Sequence, residues 1–335
     1  MRQTASRAGF LVLGLVVSAV FLWLAVRDVD VDLFLDALGD SDYVWLIPSL
    51  AGLAVGTVIR AVRWGYLFEP ARRPPFGARM RALLVGLLFN AVLPARAGEA
   101  ARVVVLNQET GTSRVEALAT AVAERLYDVL ALLFLLFAVA PFLPPEVTWL
   151  RRAGVAAAAL GLGFVIAIVV LDRYGTRPVH FLMRPLTRFP RVSGEHVEHA
   201  AENLVRGLAA LHRPRLAVPA LGLTILSWLV LAFAFWCVLE AFRLELGYDA
   251  GVLILVTTAL SLVIPSAPGG LGVFEAGGMV ALRAYGVEDS LALSCVVVLH
   301  VLNLVPAIVA GAVVLHRHVR LLPALRQEAK ARLDA

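Results

Sequence analysis

The stretch Asn90-Ala91-Val92-Leu93-Pro94-Ala95-Arg96-Ala97-Gly98-Glu99 sits inside an otherwise apolar run, 82–106, and how it is read decides the fold. Pro94 lacks an amide hydrogen and clashes with the preceding helical turn, while Gly98 permits backbone conformations closed to other residues, so one unbroken helix is not expected here. Arg96, Glu99 and Arg102 add charge to the same run. A second apolar run, 250–285, is broken in the same manner by Pro265, Pro268, Gly269, Gly270 and Gly272, and it carries Glu275. Each run predicts a helix, a sharp break and a second short helix.

The rest of the chain supplies the setting. Of its 335 residues 60% are hydrophobic and only 16% charged, against about a quarter charged in soluble domains, which excludes a single water-soluble globule. The net charge of +5 does not signal nucleic acid, because the basic residues, all Arg except Lys330, cluster in the gaps between apolar runs. Six other runs are long enough, or nearly so, to cross a bilayer: 8–26, 43–64, 117–140, 153–171, 216–241 and 290–315. The first follows Arg2 and Arg7 but exceeds the apolar core of a signal peptide, so it reads as a retained anchor. Cys237 and Cys295 lie within apolar runs and read as small buried hydrophobes.

Arginine placement orients the crossings. Arg2 and Arg7 put the N-terminus in the cytoplasm, the acidic segment 27–42 outside, and Arg72, Arg73, Arg79 and Arg81 back inside. The Arg-rich segment 172–215 falls on the cytoplasmic side only if 82–106 dips in and returns, and the basic tail does so only if 250–285 does the same from outside. The pair Arg151-Arg152 is left on the disfavoured side, where long side chains can snorkel to headgroups. The expectation is an all-α integral membrane protein of six transmembrane helices plus two re-entrant helical hairpins. It forms one membrane domain in the cytoplasmic membrane, with both termini cytoplasmic. Residues 27–42, through Leu33, Phe34, Ala37 and Leu38, read as an outer amphipathic helix. Segment 172–215, with His196 and His199 among glutamates, reads as a basic amphipathic surface segment rather than a metal site.

Span, hairpin and span occur twice, at 43–140 and 216–315, in opposite orientations. Glu124 follows Glu99 by 25 residues, and His300 follows Glu275 by the same interval. Interrupted apolar segments at matching positions of two inverted halves point to a transport site near the bilayer midplane. Freed peptide groups at membrane depth must face protein, water or substrate, and the helix start after each turn presents partial positive charge to an anion such as a lipid phosphate. Glu124, Arg125 and Asp128 within one span each cost at least about 2.5 kcal/mol at mid-membrane, so they need partners or water. They either face a polar cavity with Arg96 and Glu99 or form an internal ion-pair network. Arg60 and Arg63 are phosphate binders or snorkelling anchors, Arg102 pairs with Glu99 or meets a headgroup, and His300 and Asn303 lie mid-span.

The segments 90–102, Glu124-Arg125-Leu126-Tyr127-Asp128 and Ile264-Pro265-Ser266-Ala267-Pro268-Gly269-Gly270-Leu271-Gly272-Val273-Phe274-Glu275 resemble the flippase-like membrane domain of lysylphosphatidylglycerol synthases and its stand-alone relatives. The resemblance runs from about residue 10 to 320 and implies movement of an anionic phospholipid or polyprenyl-phosphate-linked lipid across the bilayer. Since the sequence ends soon after its last span, it is expected to lack the cytosolic synthase domain. His300 departs from the resembled pattern, in which Arg is frequent, and this makes the second half of the site pH-dependent. Arg96, Arg102 and the hairpin amides would hold the phosphate, and Glu99, Glu124, Asp128 and Glu275 would handle cationic headgroup parts or protons. Asn90 belongs to the same motif. The partners expected are membrane lipids and a lipid-pathway glycosyltransferase or synthase, with a homo-oligomer compatible; no nucleic acid, cofactor, metal or ATP site is expected. A lipid-phosphate enzyme with Glu99 or Glu124 as base, and a scaffold acting through 172–215, are the rival readings.

Overall fold

A computed structural model describes residues 29–93, 97–142, 213–264 and 266–318, together with 16, 19–23 and 163. The expected spans 8–26 and 153–171 lie mostly outside the described residues. So do segment 172–215 before residue 213, Pro94, Arg96, Pro265 and the tail beyond 318.

Nine α-helices make up the described part: α1 (Val31–Gly39), α2 (Leu46–Tyr66), α3 (Phe76–Val92), α4 (Gly98–Thr110), α5 (Arg114–Val139), α6 (Pro214–Ala241), α7 (Tyr248–Ser261), α8 (Val273–Ala284) and α9 (Asp289–Arg317). Local signals set many of the ends. The Asp30 carboxylate accepts from the amides of Asp32 and Leu33 to cap α1. Glu288 caps α9 in the same way, and the Ser290 and Leu291 amides hold its carboxyl below the usual range. Pro214 opens α6, and Gly111, at φ 70°, closes α4.

Length separates the helices into two groups. Tyr43–Tyr66, Arg114–Phe142, Pro214–Ala241 and Asp289–Arg317 are long and apolar enough to cross a bilayer, and they coincide with four of the six expected spans. The helices α3, α4, α7 and α8, of 17, 13, 14 and 12 residues, reach only about 18 to 26 Å at the helical rise and fall short of a hydrocarbon core. They pair as antiparallel hairpins. In the first, Arg81 meets Glu109 at the open end, Gly86 meets Arg102 midway and Asn90 meets Gly98 at the turn. In the second, Tyr285 donates to Asp249 at the open end (2.6 Å) and Gly277 lies against Ser261 nearer the turn.

Outward faces are apolar. Val301, Val305, Val309 and Val313 form an exposed stripe down α9, and Ile47, Val55 and Val58 do the same on α2. Such surface suits lipid and would aggregate in water. Phe34, Ala37 and Leu38 of α1 pack on the core as the amphipathic reading expects, whereas Leu33 turns outward. Cys237 and Cys295 are free and buried.

Long helices α2 and α6 run antiparallel, with Ser49 donating to the Ala234 carbonyl at one end and Arg63 to Thr224 at the other. The hairpins complete the bundle: α3 packs on α9, where Gly311 sits against the Leu84 carbonyl, and α7 packs on α5 and α6.

The tightest backbone approach is at Gly98, where any Cβ would collide with the Gly86 carbonyl and the Asn90 side chain. Gly98→Ala is expected to splay the first hairpin and sharply lower the thermal midpoint of the detergent-purified protein. Gly222→Ala, on a helix face with nothing within 4 Å, should be neutral or stabilising by up to about 1 kcal/mol.

Candidate functional site

The intramembrane charges of the first half converge between α2, α4 and α5. Arg63 of α2, only 1% exposed, places Nη1 2.6 Å from Asp128 Oδ1 and Nη2 2.7 Å from Glu124 Oε1. Arg102 of α4 places Nη1 3.0 Å from Glu124 Oε2 and Nε 2.8 Å from Glu99 Oε2. Arg125 bridges Glu99 at 2.5 Å and Asp128 at 3.3 Å, with half of its side chain still exposed. The network reaches α6 as well, since Thr224 Oγ1 accepts from Arg63 and Trp228 Nε1 donates to Asp128 Oδ1 at 3.2 Å. Arg102 also stacks on Trp64, whose indole donates to Thr120.

This arrangement revises several expected roles. Arg63 is neither a snorkelling anchor nor free for a phosphate, because two carboxylates enclose it. Arg102 is likewise paired with Glu99 and Glu124. Glu124 and Asp128 are buried structural partners in the internal ion-pair network. The turn amides are also taken: Gly98 donates to Asn90 Oδ1 at 2.9 Å, and Gly272 donates to Glu275 Oε2 at 2.7 Å. These two amides therefore cap their own hairpins.

Arg60 lies one helical turn before Arg63, and its surroundings differ. Its guanidinium sits 5.1 Å from the centre of the Trp228 ring, and among the described residues it has no carboxylate partner. It borders a cavity of about 540 Å³ whose polar lining is drawn from both halves, Asn90, Glu99 and Arg125 on one side and Thr258, Ser266, His300 and Asn303 on the other. The remaining wall is apolar and includes Leu231, Phe235, Leu255 and Leu262. A recess of about 60 Å³ extends past Arg60, Asn90 and Arg125 toward Glu124 and Asp128, with room for a small anionic group or a few waters. Among the described residues, four guanidiniums, of Arg60, Arg63, Arg102 and Arg125, face three carboxylates, of Glu99, Glu124 and Asp128, leaving one positive charge.

The second half brings Gly269, Gly270 and Gly272 together at φ 72°, 79° and 82°, conformations that glycine adopts without strain. Pro268–Gly270 forms a single tight turn packed against α3 and α9. His300 of α9 bonds Glu275 and the Gly269 carbonyl, so the residues 25 apart touch. Asn303 lines the cavity beside it while its amide donates to the Leu299 carbonyl.

Thr224, Trp228 and Trp64 are not among the residues the sequence singled out. Thr224 and Trp228, four apart on a helix, are polar-capable groups on one face of an apolar span, and that spacing was the available signal. Arg79 is buried too, donating to the Ala61, Val62 and Pro74 carbonyls around the end of α2.

The fold and site define a multi-pass helical membrane protein in which two broken-helix hairpins wall an amphipathic cavity with surplus positive charge. The chain belongs to the family described as the lysylphosphatidylglycerol synthase TM region, whose profile matches residues 11–311. It is 25% identical over 281 residues to a UPF0104 membrane protein of Methanothermobacter thermautotrophicus, an alignment covering 80% of this chain and 82% of that one. Similarity to the glycosyltransferase AglD of Haloferax volcanii is 27% over 369 aligned residues, covering 99% of this chain and 58% of that protein. A UPF0104 membrane protein of Methanocaldococcus jannaschii is 21% identical over 69% of this chain and 94% of its own length.

Removing one member of a buried ion network leaves its partner charged and unpaired, a loss of about 3–5 kcal/mol, whereas a half-exposed pair contributes about 0–1 kcal/mol. Arg63→Met should therefore lower the thermal stability of the purified protein far more than Arg125→Met. Equal midpoints for the two variants would show that the network does not bind the helices together.

Proposed function

We propose that the chain binds an anionic lipid, a phospholipid or a polyprenyl-phosphate-linked lipid, in the 540 Å³ cavity and carries its headgroup across the cytoplasmic membrane. Arg60 is the observation that carries this reading. A cation facing a cavity at membrane depth costs at least about 2.5 kcal/mol unless an anion neutralises it, and its neighbours Arg63, Arg102 and Arg125 each already have two carboxylates. A lipid phosphate between Arg60 and the exposed edge of Arg125 supplies that anion, and the wall of Leu231, Phe235, Leu255 and Leu262 accommodates its chains.

The membrane arrangement we propose has six spans and two re-entrant hairpins in an inverted repeat, with both termini cytoplasmic. The antiparallel packing of α2 and α6, the leading helices of the two halves, supports it. The cavity draws on both hairpins, so rocking one half against the other would expose it to one leaflet at a time. A concentration or ion gradient drives the step, and the chain acts as a transporter and not as an enzyme. Similarity to a protein named a glycosyltransferase supports a place beside lipid-linked sugar chemistry, with such a transferase as partner.

Purified protein in vesicles containing a fluorescent phosphatidylglycerol or polyprenyl phosphate should speed the loss of leaflet asymmetry, followed by an impermeant quencher, with the lipid chemically unchanged in mass spectra. Arg60→Gln should slow this about 10- to 100-fold, the effect of losing one charge-assisted hydrogen bond. Rates no faster than in empty vesicles, or an unaffected variant, sink the transport reading, and altered lipid mass would favour a lipid-modifying enzyme.

A further inference from the structure

The second hairpin holds a buried pair, His300 and Glu275, with no ion network around it among the described residues. His300 Nε2 is 2.9 Å from the Gly269 carbonyl oxygen, which can only accept, so Nε2 carries a hydrogen. On the other side of the ring, Nδ1 lies 2.5 Å from Glu275 Oε1. A neutral imidazole with its hydrogen on Nε2 would present a lone pair from Nδ1 to the carboxylate lone pairs at that distance. A second proton must occupy the gap. Glu275 Oε2 already accepts from the Gly272 amide at 2.7 Å, which favours the carboxylate form. The Phe274 ring stacks on His300 with centroids 4.4 Å apart, a placement suited to an imidazolium.

The partners of this proton hold one turn in place. Through Gly269 and Gly272 the pair grips both ends of the tight turn over residues 268–272, and that turn is a wall of the cavity. The turn rests on the end of α3 near the Ala91 carbonyl and on Leu304 of α9. Among the described residues, the other charged groups lining the cavity are Arg60 of α2, Glu99 of α4 and Arg125 of α5, while its lining residues from α3, α6 and α7 carry no charge. Glu99 and Arg125 pair with each other, which leaves Arg60 as the charge that a proton at His300 would repel across the cavity.

We infer that His300 and Glu275 form a binding site for a single proton, and that its occupancy holds the second hairpin's turn closed against the cavity. The closed form binds one more proton than the open form, so closure is favoured at low pH and lost as pH rises. When the proton leaves, two sets of lone pairs face each other, the pair separates, and the Gly269 carbonyl loses its donor. The inference does not rest on the lipid reading, and its test needs no lipid substrate.

Thiol labelling in detergent provides that test. In a Cys237→Ala, Cys295→Ala background, Ser266→Cys, in the cavity wall, is labelled with a charged maleimide. An exposed Asp40→Cys in the same background corrects for the intrinsic pH dependence of the thiol. The corrected rate should rise with pH by up to about tenfold per unit, the limit for one proton. Glu275→Gln separates this device from a plain packing contact. A glutamine amide can donate to the Nδ1 of neutral His300 while its oxygen keeps the Gly272 bond, so the rate should be low at every pH. His300→Phe removes both bonds and should give a high, pH-independent rate. A flat profile in the unsubstituted pair, or a Glu275→Gln variant as open as His300→Phe, overturns the inference. Imidazole ¹⁵N NMR provides a second readout: the signal lost in His300→Phe should shift from doubly to singly protonated over the same pH range, and an unchanging signal equally overturns it.

Discussion

The rest of the structure hangs on Arg63 lying between Glu124 and Asp128. At membrane depth neither the guanidinium nor the carboxylates can be left to solvent, so α2 and α5 must meet at one register and one rotation. Arg102 extends the constraint to α4, and Thr224 and Trp228 extend it to α6. Apolar packing alone would not fix these positions, because a lipid-facing helix surface is as apolar as the surface it packs against. Small-residue contacts, such as Gly52 against Ala234 and Gly311 against the Leu84 carbonyl, bring the helices close, and the ionic cluster sets their registration.

With that cluster in place, the first hairpin is tied at three levels. Its turn is capped by Asn90, its middle is tied by Arg102 to Glu124 and its open end is closed by Arg81 on Glu109. The second hairpin is fastened differently. Its open end has a single neutral-to-ionic hydrogen bond from Tyr285 to Asp249, and its turn depends on the His300–Glu275 pair. Among the described residues, two guanidiniums, of Arg60 and Arg125, line one half of the cavity and the His300 ring lines the other. The half that can change its bonding by losing a proton is also the half with three positive-φ glycines, Gly269, Gly270 and Gly272, in its turn.

The cavity between them is amphipathic because the two fastenings are polar and the helices that carry them are not. Its volume, apolar wall and few convergent polar groups are those of a ligand site. Arg60 gives it a sign. On the same helix three residues apart, Arg63 lies between two carboxylates, while Arg60 has no carboxylate partner among the described residues.

How much of this is legible in the sequence can be judged residue by residue. Periodicity and length gave the four long helices within a few residues, since about 20 apolar residues have one stable arrangement in a bilayer. The Pro and Gly breaks marked both hairpins, because a missing amide and a positive φ are local properties of those residues. The repeated interval of 25 residues brought His300 to Glu275, though Glu99 and Glu124 share Arg102 in place of a direct bond. What spacing left open was which charges are consumed: Arg60 and Arg63 look alike in sequence, as do Arg102 and Arg125. An ion pair needs nitrogen and oxygen within about 4 Å, a condition set by the rotation and depth of helices far apart in the chain. The sequence by itself determined which residues carry charge or break helices inside the bilayer, and only the packing of α2, α4, α5 and α6 decided that Arg63 and Arg102 hold the protein together while Arg60 faces the cavity.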